Sequence, residues 1–281
     1  MNTTPERAFK YHGLGNDFIV LDRRVVGLDI DSKWAQALCD RRRGVGADGV
    51  LTLLPSDGGA ARMVVHNADG SVPEMCGNGL RCAVKFLVDH AAQKPEVLSV
   101  ETGAGLLSCK VRYSGGLASE IEVDMGPARL VAPHLPSAHS GTPFVAAALE
   151  GFPGLRGTAV SMGNPHLVLF STPLEAATSL GPRLEVSPLF PERTNVGFAR
   201  LREGGMDLVV WERGSGLTQA CGTGACAAVA AAVYEGRLAP GAWHEVRLPG
   251  GALQISVPAD LSQVLMRGPA DFAFAFELPS E

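Results

Sequence analysis

Runs of alternating apolar and polar residues recur along the chain, separated by segments rich in glycine and other turn-forming residues. A side-chain period of two is typical of β-strands with one buried face. The sequence therefore predicts strands at DFIVLD (17–22), RMVVHN (62–67), GLLSCKV (105–111), SEIEVD (119–124), HLVLF (166–170), MDLVVWE (206–212) and ALQISV (252–257).

Three segments predict helices. DSKWAQALCDRR (31–42) has Asp31 in position to act as its N-cap. The other two, LRCAVKFLVDHAA (80–92) and ACAAVAAAVYEG (225–236), each follow a Cys-Gly-polar-Gly sequence. Their length and their content of Ala and Leu favour helix. Both are apolar nearly all round, so we expect each to be buried with strands wrapped around it.

The pattern repeats within the chain. The apolar triplets 63–65 and 208–210 stand at equal distances before Cys76 and Cys221. Further matches in the same order pair GNDFIVLD with GNPHLVLF, EVLSVETGAGLLSCKV with EVRLPGGALQISV, and IEVDMGPA with QVLMRGPA. We infer an α/β fold of two pseudo-symmetric domains, 1–126 and 127–268, each with strands around a central helix and with the active site in the cleft between them. The final DFAFAFEL, within 269–281, is expected to return and pair with the first domain.

Composition narrows the class of protein. The 281 residues are 46% hydrophobic and 19% charged, enough for a real core in each of about two domains. A net charge of −5 argues against a dedicated nucleic-acid binder. The N-terminal residues lack the apolar core of a secretory signal, and the longest apolar run, ACAAVAAAVY, is too short to cross a bilayer. We therefore expect a cytoplasmic protein, without a membrane partner, whose cysteines are reduced.

A cysteine at the start of a helix is well placed for acid–base chemistry. The first turn presents unpaired N–H groups and a partial positive charge, which are expected to lower the pKa of a thiol and to hold a carboxylate. The glycines 77, 79, 222 and 224 remove side chains that would block this approach. Each CGxG sequence could thus supply a base and half of a carboxylate site.

Other roles for these cysteines have to be weighed. A single cysteine in a glycine-rich loop is more often a small buried hydrophobe, and Cys39, Cys82, Cys109 and Cys226 are expected to be core residues. The C-x5-C and C-x4-C spacings are poor for zinc, so no metal is expected. Duplication favours catalysis, because inverting a stereocentre needs a base on one face of the carbon and an acid on the other. The chain has five lysines, none in a recognisable pyridoxal phosphate motif, and no cofactor is implied.

At these residues the chain resembles the diaminopimelate epimerase family of cofactor-independent, two-cysteine epimerases. The motifs that carry the resemblance are HGLGNDF (12–18), GVGADGV (44–50), NADGS (67–71), MCGNGLRC (75–82), SMGNPH (161–166), ERTNVGF (192–198) and ERGSGLTQACGTGACA (212–227). The resemblance covers essentially the whole chain. It implies epimerisation of LL-2,6-diaminopimelate to the meso isomer, in lysine and cell-wall precursor biosynthesis, by a homodimer.

The resemblance also implies roles for single residues. Cys76 and Cys221 match the catalytic cysteines, and His166 and Glu212 match residues that adjust the protonation of the thiols. The residues matching donors or side chains that hold the substrate are Asn16, Asn67, Gly77, Asn78, Asn164, Asn195, Glu212, Arg213, Gly222 and Thr223. Some members have a substrate-contacting Gln where this chain has Gly49, and that contact is not carried over.

The chemistry of the substrate fits these residues. Diaminopimelate has an ammonium and a carboxylate at each end, so the end that does not react needs its own clamp. Arg213 suits the carboxylate and Glu212 the ammonium. A racemase of a smaller amino acid, similar to proline racemase, is the alternative, but it would leave Arg213 unexplained. A catalytically silent ligand-binding or redox protein is the alternative from another class.

Overall fold

The computed structural model describes residues 6–136 and 141–278. Its helices are α1 (Ser32–Cys39), α2 (Gly77–Asp89), α3 (Ala177–Glu185) and α4 (Gly222–Tyr234), and a 3-10 turn covers Leu174–Ala176. Its strands are β1 (Glu6–Gly13), β2 (Asn16–Asp22), β3 (Gly49–Leu54), β4 (Arg62–Asn67), β5 (Val97–Thr102), β6 (Gly105–Ser114), β7 (Leu117–Asp124), β8 (Ala147–Ala148), β9 (Arg156–Ser161), β10 (Pro165–Leu169), β11 (Asn195–Arg202), β12 (Gly205–Glu212), β13 (Gly216–Leu217), β14 (Trp243–Leu248), β15 (Gly251–Ser256), β16 (Leu265–Gly268) and β17 (Asp271–Leu278).

The chain forms two α/β units, which confirms the predicted fold class. The first unit comprises residues 1–123 and 268–281, and the second comprises residues 124–267. Each of the seven predicted strands is present within a residue or a few of its expected bounds. The helix predicted over 31–42 begins as expected, since the Asp31 carboxylate accepts from the N–H of Trp34, but it ends at Cys39. It ends early because the Asp40 carboxylate accepts from the main chain of Arg42 and Arg43 and turns the chain there.

Both units pair their strands in the same order. In the first, β1–β2 is antiparallel, β2–β3 parallel, β3–β4 antiparallel, β4–β5 parallel, and β5–β6 and β6–β7 antiparallel. In the second, β9 to β12, β14, β15 and β16 follow the same alternation. The internal repeat of the sequence is therefore a repeat of the topology.

The last strand belongs to the first unit. β17 pairs antiparallel with β1, with Leu278 opposite Glu6 and Asp271 opposite His12. The sequence prediction placed the segment 269–281 with the first domain. The short strand β8 lies antiparallel against β9 in the second unit, in the place that β17 takes beside β1.

A buried helix forms the centre of each unit. Every residue of α2 from Gly77 to Val88 is buried, and α4 is buried from Ala225 to Val233. The alanine-rich surface of α4 lets strands approach closely on several sides. The α2 helix differs from the expectation in one respect, because it also buries the charged side chains of Arg81 and Lys85. Both helices begin directly after the cysteines singled out in the sequence.

Candidate active site

Cys76 and Cys221 are the N-caps of α2 and α4. Cys76 has φ −137° and ψ 111°, and Cys221 has φ −123° and ψ 105°, so both adopt the same extended conformation. In each case the sulfur accepts the N–H of the residue three positions on, from Gly79 to Cys76 and from Gly224 to Cys221, at 3.4 Å. An N-cap usually accepts through a Ser, Thr, Asp or Asn oxygen. Here a thiol occupies that position twice.

The glycine at the third helical position leaves room for each sulfur. A Cβ at Gly224 would lie 3.0 Å from Val210 Cγ2 and 3.1 Å from the Cys221 sulfur. A Cβ at Gly79 would lie 2.9 Å from Leu51 Cδ2 and 3.6 Å from the Cys76 sulfur. The second glycine of CGxG therefore allows close packing between the helix, a strand and the thiol.

The first two main-chain N–H groups of each helix point out of its N-terminal end. They belong to Gly77 and Asn78 in α2 and to Gly222 and Thr223 in α4. With the helix dipole they create a positive potential beside each sulfur, which suits a carboxylate or a carbon that is gaining negative charge. The sequence prediction named these four residues for that purpose.

The expected lowering of the thiol pKa is wrong for Cys221. This side chain is 4% exposed, and burial raises its pKa well above the ordinary value of a thiol. The negative charge of Glu212 raises the pKa further, and the Thr223 hydroxyl and the Gly224 N–H only partly oppose the rise. Burial and a neighbouring carboxylate thus outweigh the helix N-terminus. The Cys221 sulfur carries its proton at neutral pH.

Glu212 ends β12 and acts on the Cys221 thiol by charge and hydrogen bonding. The hydroxyl of Thr218 donates to its Oε1 atom. Thr218 is a residue that sequence reasoning missed, although it lies within the quoted motif ERGSGLTQACGTGACA. Glu212 therefore lies beside the thiol that it was predicted to adjust.

His166 is a neutral, fully buried ring on β10. Burial lowers its pKa to about 3, and the positive charge of Arg213 acts in the same direction. Its Nε2 atom lies 2.9 Å from the Asn164 side-chain oxygen, so the Nε2 atom carries the proton and donates. These two predicted site residues are hydrogen bonded to each other.

Asn195 and Arg213 are joined in the same unit. Asn195 lies opposite His166 in the β10–β11 pairing, and its amide oxygen accepts the Arg213 main-chain N–H at 3.0 Å. Its amide nitrogen donates to the Pro165 carbonyl at 3.1 Å. The exposed Arg213 guanidinium donates to the Glu192 carbonyl at 3.0 Å. This group of the second unit brings together Asn164, His166, Asn195 and Arg213.

A chain of side chains in the first unit orients Asn16 and Asn78. The Asn16 amide nitrogen donates to Asp48 at 2.8 Å, and its oxygen accepts from the Asn78 amide at 3.1 Å. The Asn78 oxygen accepts from Arg81 at 3.0 Å. A carboxylate can only accept and a guanidinium can only donate, so the two ends fix the direction of both amides. Sequence reasoning missed Asp48 and Arg81, although an arginine in an otherwise apolar helix should have been noted as a buried charge that requires partners.

Asn67 ends β4 opposite Gly49 and donates from its side chain to the Ser71 hydroxyl at 2.9 Å. The next residue, Ala68, donates its N–H to the Asp48 carbonyl at 3.0 Å, which links this strand end to the residue that holds Asn16. A Cβ at Gly49 would lie 2.8 Å from the His66 carbonyl oxygen. In this backbone the position has no room for the glutamine of other family members.

Within residues 6–136 and 141–278, no helix has both the length and the apolar character needed to cross a membrane.

Comparison with known proteins adds a further set of findings. The family model described as diaminopimelate epimerase matches residues 8–131 and 158–273. A diaminopimelate epimerase of Desulforudis audaxviator is 46% identical over 94% of this chain and 96% of its own length. One from Desulfitobacterium hafniense is 44% identical over 94% of this chain and 95% of its own length.

Solved structures share the fold at much lower identity. A hydroxyproline epimerase from Agrobacterium vitis aligns with a TM-score of 0.69 at 18% identity, over 97% of this chain and 90% of its own. A phenazine biosynthesis protein of Bacillus anthracis aligns with a TM-score of 0.69 at 16% identity, over 98% of this chain and 99% of its own. At these identities the similarity concerns the fold alone.

Proposed function

The chain belongs to the diaminopimelate epimerase family and epimerises diaminopimelate, and we propose that Cys76 and Cys221 are the two acid–base groups of this reaction. The observation that carries the proposal is the duplicated thiol N-cap, with the same backbone conformation and the same sulfur contact in both units. Inversion of one stereocentre requires a base on one face of the carbon and an acid on the other, and a duplicated thiol can supply both.

In the proposed reaction both thiols act on one α-carbon, from its opposite faces. A thiolate accepts the proton as the C–H bond breaks, and the electron pair of that bond stays on the carbon and its carboxylate. The thiol on the opposite face then donates its proton to the carbon, and its sulfur becomes the thiolate. One proton is taken and one is given, so the reaction needs no cofactor.

The helix N-termini stabilise the charge that develops in this step. We assign the reacting carboxylate to the N–H groups of Gly77, Asn78, Gly222 and Thr223. These donors are fixed by the backbone, so they need no rearrangement as negative charge spreads onto the carboxylate.

The protonation of the two thiols is proposed to depend on their neighbours. Because burial and Glu212 raise the pKa of Cys221, this residue starts as the protonated thiol in the substrate-free protein. His166 is neutral, so it adds no positive charge near the site, and its tautomer is fixed by Asn164. Cys76 is then the residue that must supply the thiolate in the direction in which Cys221 is the acid.

The far end of the substrate is assigned to the polar side chains. Arg213 suits the distal carboxylate and Glu212 the distal ammonium. The four asparagines, Asn16, Asn67, Asn164 and Asn195, supply further donors and acceptors. All four are already held by protein contacts, which lowers the entropy lost when they bind the substrate.

We further propose that the protein works as a homodimer in the cytoplasm, where its thiols stay reduced. Strand β17 pairs with β1 alone among the described strands, and Phe272 and Phe274 on it are each 49% exposed. An exposed apolar edge strand favours pairing with a second copy. Phe274→Glu should give a monomer in analytical ultracentrifugation, whereas Val25→Glu, at a 99% exposed loop position, should leave the dimer intact. A dimeric Phe274→Glu variant would remove β17 from the interface.

The acid–base proposal is tested by incubation with LL-diaminopimelate in deuterated water. The product should be the meso isomer with deuterium on the inverted carbon, because its new hydrogen comes from a thiol that exchanges with solvent. Proline serves as the second substrate and should not be turned over. A meso product without solvent deuterium would contradict the two-thiol reaction.

A further inference from the structure

Glu185, the last residue of α3, is a buried carboxylate outside the proposed reaction. It is 8% exposed, and its main-chain oxygen accepts the N–H of Thr194 at 3.1 Å. Thr194 directly precedes Asn195. Burying a carboxylate is costly unless it is well paired, so its partners indicate what it does.

Both carboxylate oxygens accept hydrogen bonds from residues 211–214, the clamp segment, which carries Glu212 and Arg213. These two residues form the distal clamp, because they are assigned to the distal ammonium and carboxylate. Oε2 accepts the indole N–H of Trp211 at 2.8 Å, and Oε1 accepts the main-chain N–H of Gly214 at 2.9 Å. Trp211 comes directly before Glu212, and Gly214 comes directly after Arg213. Glu185 therefore holds the residues on either side of the two that are assigned to the distal ammonium and carboxylate.

The packing around Trp211 makes this contact rigid. The indole lies against Gly181 of α3, where a Cβ would come within 2.6 Å of the ring. The Arg213 main-chain N–H is held separately by Asn195, and its guanidinium by the Glu192 carbonyl. The clamp segment is therefore fixed at residues 211, 213 and 214, and Glu185 supplies two of these contacts.

We infer that Glu185 is a positioning residue that fixes Glu212 and Arg213 for the distal end of the substrate. The inference rests on the proposed function, because it takes the assignment of these two side chains to that end. Glu185 does not touch the substrate; it acts through Trp211 and Gly214. Glu212 also acts on the Cys221 thiol, so loss of Glu185 should impair recognition of the distal end more than it impairs proton transfer at the cysteines.

Hydrogen bonding explains why a glutamine cannot replace this carboxylate. Glu185→Gln has nearly the same shape, but its amide nitrogen cannot accept, so either Trp211 or Gly214 loses its acceptor. A charge-assisted hydrogen bond is also weakened to a neutral one. We expect the KM for diaminopimelate to rise by about 10-fold, with a much smaller change in kcat.

The experiment compares two substrates in deuterated water. Diaminopimelate has both distal groups, whereas 2-aminoheptanoate has the same chain length and neither of them. We expect Glu185→Gln to reduce kcat/KM for diaminopimelate by a larger factor than it reduces α-hydrogen exchange of 2-aminoheptanoate. The ratio of the two rates, which measures the preference for diaminopimelate, should therefore fall. An equal loss for both substrates, or no change in KM, would overturn the inference.

Two further variants test whether the change in KM arises from the contacts of Glu185 with the clamp segment. Arg193→Gln removes only the 3.5 Å contact between Arg193 and Glu185, and it should behave as wild type. Trp211→Phe removes one of the two donors and should give an intermediate KM, which provides a second test if Glu185→Gln folds poorly. Wild-type protein is assayed first: no solvent exchange into diaminopimelate would contradict the proposed function, whereas normal wild-type exchange with an unaltered Glu185→Gln KM contradicts this inference alone.

Discussion

The main-chain N–H of Gly224 points at the sulfur of Cys221 from 3.4 Å. The same spacing leaves no room for a side chain, because a Cβ at Gly224 would lie 3.1 Å from that sulfur and 3.0 Å from Val210. The contact thus both places the thiol and requires a glycine.

Gly224→Ala should therefore displace the thiol or the strand beside it. We expect a loss of stability of about 1–3 kcal/mol, as for other overpacked sites, together with a marked fall in kcat. Denaturant unfolding and steady-state kinetics measure the two effects. Gly197→Ala is the control, since its nearest neighbour, Leu208 Cδ1, would be at an ordinary 3.4 Å. A Gly224→Ala variant with wild-type kcat would show that the thiol does not need this placement.

Replacing either catalytic cysteine should stop epimerisation. Cys76→Ala and Cys221→Ala each leave one face of the α-carbon without its acid or base, and we expect turnover to fall by at least about 100-fold. Serine should also fail, because a hydroxyl is a far weaker acid than a free thiol of pKa about 8.5. The double variant should lose little more than either single variant, since the two groups act as one unit. Near-normal turnover by Cys76→Ala would contradict the mechanism.

Glu212→Gln should make Cys221 easier to ionise. Glu212 raises the pKa of this thiol, so its removal lowers that pKa, although burial still keeps it high. Alkylation by iodoacetamide requires the thiolate, and its pH dependence at Cys221, followed by peptide mass spectrometry, should move to lower pH in the variant. Glu245→Gln, which changes a partly buried carboxylate on β14, should leave the profile unchanged. A shift to higher pH in Glu212→Gln would show that Glu212 favours the thiolate.

Arg213→Lys should keep the fold and weaken substrate use. A lysine is a point charge and cannot form the planar, paired contact that a guanidinium makes with a carboxylate. We expect kcat/KM for diaminopimelate to fall by about 10- to 100-fold. Arg200→Lys is the matched control, because Arg200 makes an exposed ion pair with Asp207 in the same unit. Unchanged kinetics in Arg213→Lys would remove it from the distal clamp.

Local patterns predicted seven of the strands, the starts of α1, α2 and α4 to within a few residues, and the two cysteines at helix starts, but they did not predict α3. The repeat also led us to expect that the last segment returns to the first domain, because it follows the second GPA as the crossing into the second half follows the first. The strands and helix starts depend on residues that are close together in the chain. The expectation for the last strand depends on comparison of the two copies of the repeat. Both kinds of information are present in the sequence.

Properties that depend on distant neighbours could not be predicted. The pKa of Cys221 depends on its burial and on Glu212, and these outweigh the helix N-terminus on which the prediction was based. The roles of Arg81 and Glu185 depend on which main-chain atoms come close to them after folding, such as the Pro269 carbonyl that accepts from Arg81 at 3.1 Å. No local pattern specifies such partners.

The position of β17 has a consequence for synthesis on the ribosome. The strand that completes the first sheet is encoded after the whole of residues 124–267, so β1 gains this neighbour only when the last part of the chain has emerged. The second unit, which is continuous in sequence, has all its residues available earlier. Although domains generally fold in the order in which they are made, here the unit that starts first is the one that is completed last. Until then the nascent β1 exposes an unpaired edge to other chains and to chaperones.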